Sequence, residues 1–482
     1  MKDKIARHWF ILVLLALAQF MVVLDVSIVN VMLPTVQKAF HLSNPTLQWI
    51  ITAYTLAFGG FLLLGGRAAD LFGRRRIFLL GVAIFSLASL ADGLSQNGGQ
   101  LIVLRAVQGL AGALMSPAAL SIVLVTYKEG AERNKALAVW GAVASGGAAV
   151  GVLLGGIITQ YLTWRWNFFI NVPIGIFVFI AARAFVDRHA SEETHRDLDL
   201  PGAIFVTSGL MMLVYALTKT PTYGWLDHRT LGFFGVSVAL LIAFVVNELI
   251  AKHPLVDFKI FKIRNVSGAN VAQMSIAAGL FSIFFVSTLY LQEILGYTPV
   301  RTGFAFLPVP FIIAIAATNA PRLIKKVGYR PLLIAGPAFV ALGLYMLGHI
   351  TVGSGYTKHI LPGLLVMGFG LGFTFVSMLI AATSGVPRHL AGLASGLNNT
   401  AQQVGGSLGL AVVTGIATAS ATRYLSHLHT RPTAHMITVA TVHGYSEGYY
   451  TGAAFAVFAI LLGIFVIRQQ KGETVPEGIP VS

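Results

Sequence analysis

Apolar runs long enough to cross about 30 Å of hydrocarbon recur along the whole chain, separated by short polar stretches. They predict fourteen helical spans, near 9–31, 47–66, 77–95, 100–126, 135–160, 167–186, 201–218, 230–250, 266–292, 303–320, 331–351, 359–382, 391–418 and 449–468. The expected fold class is therefore an all-α membrane protein. The opening MKDKIARHWF runs into one apolar stretch and at once into a second, with no small-residue cleavage site between them. The first span is expected to be retained.

Charge tests the span count independently, because lysine and arginine concentrate in alternate, cytoplasmic loops. With both ends placed in the cytoplasm, twenty-four of the 33 basic residues fall in inside segments and eight in outside ones, and Arg105 lies within a span. Adding or removing one span would scramble that alternation. The net charge of +15 thus reads as membrane topology, since the basic residues form short clusters between apolar runs and not the continuous patch that nucleic acid needs. Composition agrees: 56% hydrophobic and 11% charged, with a mean hydropathy of +0.77, is far from a soluble globular chain. The absence of cysteine excludes disulfides and thiolate metal sites.

A faint internal repeat has an offset of 255 residues. Gly73 and Arg75 recur as Gly328 and Arg330, and Gly141 and Gly151 in the fifth span recur as Gly396 and Gly406 in the thirteenth. This predicts an N-terminal six-helix half over 1–190, two inserted spans with their loops over 191–258, and a C-terminal six-helix half over 259–482. Parallel halves with a cavity between them are a transporter arrangement.

Of the eighteen acidic residues, Asp25 alone is expected deep inside a span, with Asp92, Glu248 and Glu293 near span ends and close to water. An intramembrane carboxylate is costly and needs a partner or a role. Asp25 lies sixteen residues beyond Trp9, roughly 24 Å up from the inner end at 1.5 Å per residue, and Arg105 lies roughly 7 Å down from the outer end. The two charges should stand at similar height. Burial favours a neutral acid and a guanidinium favours the anion, so a carboxyl held between them can change protonation as its surroundings alternate.

Several segments carry a more specific signal: LDVSIVNVMLP at 24–34, GRAADLFGRRR at 66–76, LRAVQG at 104–109, GGAAVGVLLGG at 146–156, WRWNFFINVPIG at 164–175 and LYLQEILGYTP at 289–299. In this order and in these loops they resemble the fourteen-helix drug:proton antiporter family of the major facilitator superfamily, over essentially the whole chain. The resemblance implies the major facilitator fold and proton-driven multidrug efflux. It implies that Asp25, with Asn30 in the same first-helix motif, serves proton coupling or substrate, and that Arg105 and Gln108 form the coupling motif of the fourth helix. Gly66, Asp70, Gly73, Arg74 and Arg75 match the cytoplasmic gating loop, with Leu71 where a basic residue is usual. Gly147, Gly151, Gly155 and Gly156 match the antiporter motif, with Val152 where proline is usual. Glycines at four-residue spacing permit close helix packing.

Asn270, Gln273, Asn398, Asn399 and Gln402 are candidate cavity residues, or else interhelical hydrogen-bonding groups, and Glu293 is a further proton candidate. His427, His429, His435 and His443 fall in a predicted outer loop over 419–448, too irregularly spaced for a metal site. No metal and no cofactor beyond the proton as coupling ion is expected. There is no GxxxxGK[ST] loop for ATP and no HExxH or serine-triad pattern for hydrolysis, so an enzyme is not expected. The resulting expectation is a monomeric, multi-pass exporter in the cell membrane with both termini cytoplasmic. It would handle hydrophobic small molecules amid membrane lipid, use no nucleic acid, and need an adaptor protein only to cross a second membrane. The alternative is a dedicated exporter of one metabolite or lipid. A membrane sensor would instead carry a signalling domain or a long charged tail.

Overall fold

The computed structural model describes residues 2–127, 130–187, 198–387, 390–428 and 432–468. The proposed boundary at 190/191 and His429 lie outside these. All regular structure among the described residues is helical, and fourteen helices are long and apolar enough to span a membrane. They are α1 (Arg7–Phe40), α2 (Asn44–Phe72), α3 (Arg74–Leu94), α4 (Gly98–Thr126), α5 (Lys135–Tyr161), α6 (Trp166–Phe185), α7 (Leu200–Tyr223), α8 (His228–Ile250), α9 (Arg264–Ile294), α10 (Pro299–Val327), α11 (Tyr329–Leu347), α12 (Tyr356–Thr383), α13 (Ala391–Ser426) and α14 (Ala434–Phe465). The predicted number and order hold.

The largest difference is at α13 and α14, which absorb most of the stretch expected as an outer loop. α14 begins at Ala434, capped by the Thr433 hydroxyl accepting from the Met436 amide at 3.3 Å, fifteen residues before the predicted start. Histidine, serine and glutamate between 434 and 449 lower the local hydropathy without breaking the helix. At 1.5 Å per residue the 36-residue α13 extends about 54 Å, so its ends stand clear of the hydrocarbon. His427 lies at the end of α13, and His435 and His443 lie on α14.

Helix pairing shows the internal repeat directly. α1 packs on α5 and α9 on α13; α2 on α4 and α10 on α12; α3 on α4 and α11 on α12; α3 on α6 and α11 on α14. Glycine makes the α1–α5 and α9–α13 seams possible. A methyl group on Gly155 would stand 2.9 Å from the Ile28 carbonyl oxygen, and one on Gly409 2.2 Å from the Ala278 Cα. The repeated loops agree in conformation. Gly73 joins α2 to α3 at φ 99° and Gly328 joins α10 to α11 at φ 82°, a region that favours glycine. Each is followed two residues on by an arginine that caps a distant helix end. Arg75 donates to the Arg183 carbonyl of α6, and Arg330 to the Gly463 and Ile464 carbonyls of α14 at 3.3 and 2.6 Å.

Two seams join the halves, α2–α13 and α5–α10. Along the first, Thr55 meets Ser407 at 2.6 Å, Thr400 donates to the Gly59 carbonyl at 3.2 Å and Leu63 faces Gly396. The second is tight only toward the end opposite the basic loops. There Gly303 faces Val152, Gly156 faces Pro299, and the Val300 amide donates to Gln160 at 3.2 Å. Gln292 of α9 also reaches the Val31 carbonyl of α1 at 2.8 Å at this end. Lower on α5, methyl groups at Gly141 and Gly146 would meet no atom within 4 Å.

The inserted helices α7 and α8 pair with each other, and α7 also packs on both α2 and α13. Gly60 of α2 accommodates Thr207 of α7, while Leu56, Val214 and Ala411 form an apolar cluster shared by all three helices. The hairpin is tied at its basic end by Asp199, which accepts from Asn247 at 2.7 and 2.8 Å and from the Gly202 amide at 2.9 Å. Glu248 beside it accepts from the Val256 amide at 2.9 Å. Both carboxylates are buried, so Glu248 is not the water-exposed residue that its place near a span end suggested.

Candidate functional site

The two charges expected at similar height meet inside the N-terminal half. Arg105 of α4 donates through Nη1 to Asp25 Oδ2 of α1 at 2.5 Å, and their side chains are 1% and 0% exposed. α1 and α4 are packed against each other, and Gly109 and Gly112 on α4 leave room for Tyr54 and Phe58 of α2. Gln108 joins the pair from both sides: its Oε1 accepts from Arg105 at 2.5 Å and its Nε2 donates to Asp25 Oδ1 at 2.9 Å. One helical turn separates residues 105 and 108, which puts both side chains on the face of α4 turned to α1.

Three more groups complete the cluster. Asn171 of α6 donates to Asp25 Oδ1 and to Ser89 Oγ of α3, both at 3.1 Å, and Ser89 donates to the Phe168 carbonyl at 2.9 Å. Arg105 Nε donates to the Ile50 carbonyl at 3.1 Å, and its guanidinium lies 4.3 Å from the centre of the Tyr54 ring. A buried ion pair survives only when its remaining hydrogen-bonding capacity is met, and here amide, carbonyl and aromatic face share that task. Asp25 accepts three hydrogen bonds, so the anion is well solvated by the protein in this arrangement. Protonation would weaken all three contacts at once and release Arg105 from its partner.

Asn171 and Ser89 were not singled out in the sequence. Asn171 lies in the segment WRWNFFINVPIG, but its partner is 146 residues away and only the packing of α1, α3 and α6 brings them together. Asp92 was misplaced. It stands near the end of α3, as expected, yet it is 0% exposed because Phe169 packs on Gly93 and Arg165 closes over the Gly93 and Ser95 carbonyls at 2.8 and 2.6 Å. Asn30 is half-buried and bonds its own helix at the Val26 carbonyl, 3.0 Å away, outside the cluster.

The other expected site residues are spread over the molecule. In the loop between α2 and α3, Asp70 and Arg74 form a half-exposed pair at 3.4 Å across Gly73, and Gly66 faces Pro117. Gly147, Gly151, Gly155 and Gly156 follow one another along α5, the first three against α1 and the last against Pro299 of α10. Asn270, Gln273 and Asn398 are buried at the α9 and α13 side, and each has an amide atom without a hydrogen-bond partner: Asn270 Oδ1, Gln273 Oε1 and Asn398 Nδ2. Asn399 is exposed and Gln402 half-buried. Glu293 is exposed at the far end of α9 and accepts from the Tyr445 hydroxyl at 3.3 Å.

Two pseudo-symmetric six-helix halves, one of them holding a buried charge pair, define a multi-pass membrane transporter. The Major Facilitator Superfamily model matches residues 15–410, and the chain belongs to that superfamily. It is 40% identical over 460 residues to the puromycin resistance protein pur8 of Streptomyces alboniger, covering 95% of this chain and 90% of that protein. It is 38% identical to the cephamycin export protein CmcT of Amycolatopsis lactamdurans, covering 83% of each. The tetracenomycin C resistance and export protein of Streptomyces glaucescens is 34% identical, over 84% of this chain and 75% of that one. Among solved structures, the fold is similar to an auto-inhibited peptide transporter of the POT family, with a TM-score of 0.68 at 15% identity, covering 98% of this chain and 99% of that one. It is also similar to the inward-open xylose transporter XylE from E. coli, with a TM-score of 0.62 at 15% identity, covering 97% and 98%.

Proposed function

We propose that this chain exports amphipathic, often cationic drugs or antibiotics across the cell membrane in exchange for protons. The observation that carries the reading is the buried cluster of Asp25, Arg105, Gln108 and Asn171, a titratable group whose three contacts depend on its charge. The relatives support the cargo class, since their names speak of resistance to or export of puromycin, cephamycin and tetracenomycin C. In this reading the basic loops and both termini face the cytoplasm, and the tight α5–α10 and α1–α9 contacts are the closed outer side. Export then proceeds by rocking of the two halves, with the Asp70–Arg74 loop as part of the inner gate and with no cofactor besides the proton. Asn270, Gln273 and Asn398 offer spare amide atoms to cargo. The unit is a monomer, and passage through a second membrane would need an adaptor.

The test is expression in an efflux-deficient bacterial host. Resistance to several unrelated amphipathic compounds, lost when the proton gradient is collapsed, is the expected result. Resistance confined to one compound would make the chain a dedicated exporter, the reading that the cephamycin relative favours. Efflux that continues after the gradient is collapsed would rule out proton exchange. Orientation is tested separately in this cysteine-free chain by single cysteines labelled from outside intact cells. Position 427 is expected to label and position 74 to stay protected.

A further inference from the structure

Asp92 is a second carboxyl beside the site, and nothing in the cluster uses it. It is 0% exposed, and neither of its carboxylate oxygens has a hydrogen-bond partner. A buried ionised carboxylate without a protein donor is disfavoured, whereas the neutral acid is tolerated. Contrast Asp25, which accepts from Arg105, Gln108 and Asn171. The two acids are linked through the protein. Ser89 lies one turn before Asp92 on the same face of α3, and it accepts from the same Asn171 amide that donates to Asp25. Arg105 is within electrostatic reach of both carboxyls.

The groups around Asp92 can be stated helix by helix. α1 contributes Asp25, α4 contributes Arg105, and α6 contributes Asn171 with Phe168 and Phe169. Arg165, in the turn before α6, is held by the carbonyls of Gly93 and Ser95 on either side of the α3 terminus. The cluster thus has two carboxyls and one guanidinium, which is paired with Asp25.

We propose that Asp92 is a second proton-binding carboxyl that shares Arg105 with Asp25. In the arrangement seen here Asp25 is the anion paired with Arg105, and Asp92 carries the proton. When Asp25 takes up a proton, Arg105 turns to Asp92, which gives its own proton up. Each arrangement holds one proton, one carboxylate and one guanidinium, so the buried site stays electroneutral throughout. The role in transport rests on the proton-exchange reading above; the protonation of Asp92 does not.

Infrared spectroscopy of the purified full chain in lipid, at neutral pH and without cargo, tests the protonation. A carboxylic-acid carbonyl band that shifts in D2O should be present in the wild type and lost in Asp92→Asn. Asn has the shape of the neutral acid, so this variant should unfold at the wild-type temperature. If it fails to fold, Asp92→Glu takes its place, and the band must move in frequency. The sharing of Arg105 predicts more: Asp25→Asn should also lose the band, because the freed guanidinium pairs with Asp92, and Asp25→Asn, Arg105→Gln should restore it. A band undiminished in Asp25→Asn would make Asp92 a neutral structural acid and overturn the sharing. No difference between wild type and the Asp92 variant would overturn the protonation itself. In vesicles, ethidium efflux driven by a pH gradient should fall about tenfold or more in Asp92→Asn. Should the wild type not move ethidium at all, the export reading suffers and the infrared result still judges Asp92.

Discussion

The two halves share a scaffold and differ in what they bury. Both pack their first and fifth helices through glycine, both turn between second and third helices on a left-handed glycine, and both cap the sixth helix with an arginine two residues later. The N-terminal half then buries Asp25 against Arg105. In the C-terminal half α9 instead meets its neighbours through neutral hydroxyls: Ser287 meets Tyr449 of α14 at 2.8 Å, and Tyr290 donates to the Thr351 and Ser354 carbonyls, between α11 and α12, at 2.6 and 3.1 Å. Packing and charge are therefore separable in this molecule. The repeated devices build a rigid half, and among the described residues the buried Asp–Arg pair lies in the N-terminal half.

The strongest way to break this contrast is Asp25→Asn. It should abolish pH-gradient-driven efflux and lower stability by less than the about 3–5 kcal/mol of a broken buried pair, because the freed Arg105 finds Asp92 as its new anion. Adding Arg105→Gln should recover the unfolding temperature but not transport. Recovery of both in the double variant would reduce the pair to a structural lock.

Next in size are the glycine seams, which should behave alike in kind. Gly155→Ala and Gly409→Ala should each cost about 1–3 kcal/mol by overpacking. Gly409 should cost more, since its added methyl would meet the Ala278 backbone at 2.2 Å against 2.9 Å at the Ile28 carbonyl. Thermal unfolding of the two variants checks the order, and a silent Gly409→Ala would show that the C-terminal seam relaxes more easily than its counterpart.

Tyr449→Phe probes the neutral core of the C-terminal half. It should cost about 1 kcal/mol for one lost hydrogen bond and leave the pH dependence of efflux unchanged. A shifted pH profile would mean that coupling extends into this half. Smallest are Arg75→Ala and Arg330→Ala, partly exposed caps that should each cost about 1 kcal/mol or less. Near-equal shifts in unfolding temperature would confirm that the repeat is energetic as well as geometric.

Much of this was legible in the sequence because the bilayer imposes length and charge rules that act locally. Fourteen spans and the pairing of Asp25 with Arg105 follow from counting residues along helices. Asp92 was not legible: its short following loop reads as water-exposed, and Phe169 and Arg165, brought in from the next hairpin but one, close over the neighbouring Gly93 and Ser95. The start of α14 was missed for a different reason. Its first four turns carry His435, His443, Ser446 and Glu447, which lower the hydropathy that marks a span without breaking the helix. Asn171 carried a motif signal but no partner, since the contact depends on three helices meeting.

The inserted hairpin has one more consequence. Because α7 lies across both α2 and α13, with Thr207 and Val214 buried against them, an acyl chain or a bilayer-dissolved molecule approaching that seam meets α7 before it meets either half. Among the described residues no helix lies in this way across α5 and α10. One of the two seams between the halves is thereby covered from the side, which gives a nearly two-fold molecule a front and a back.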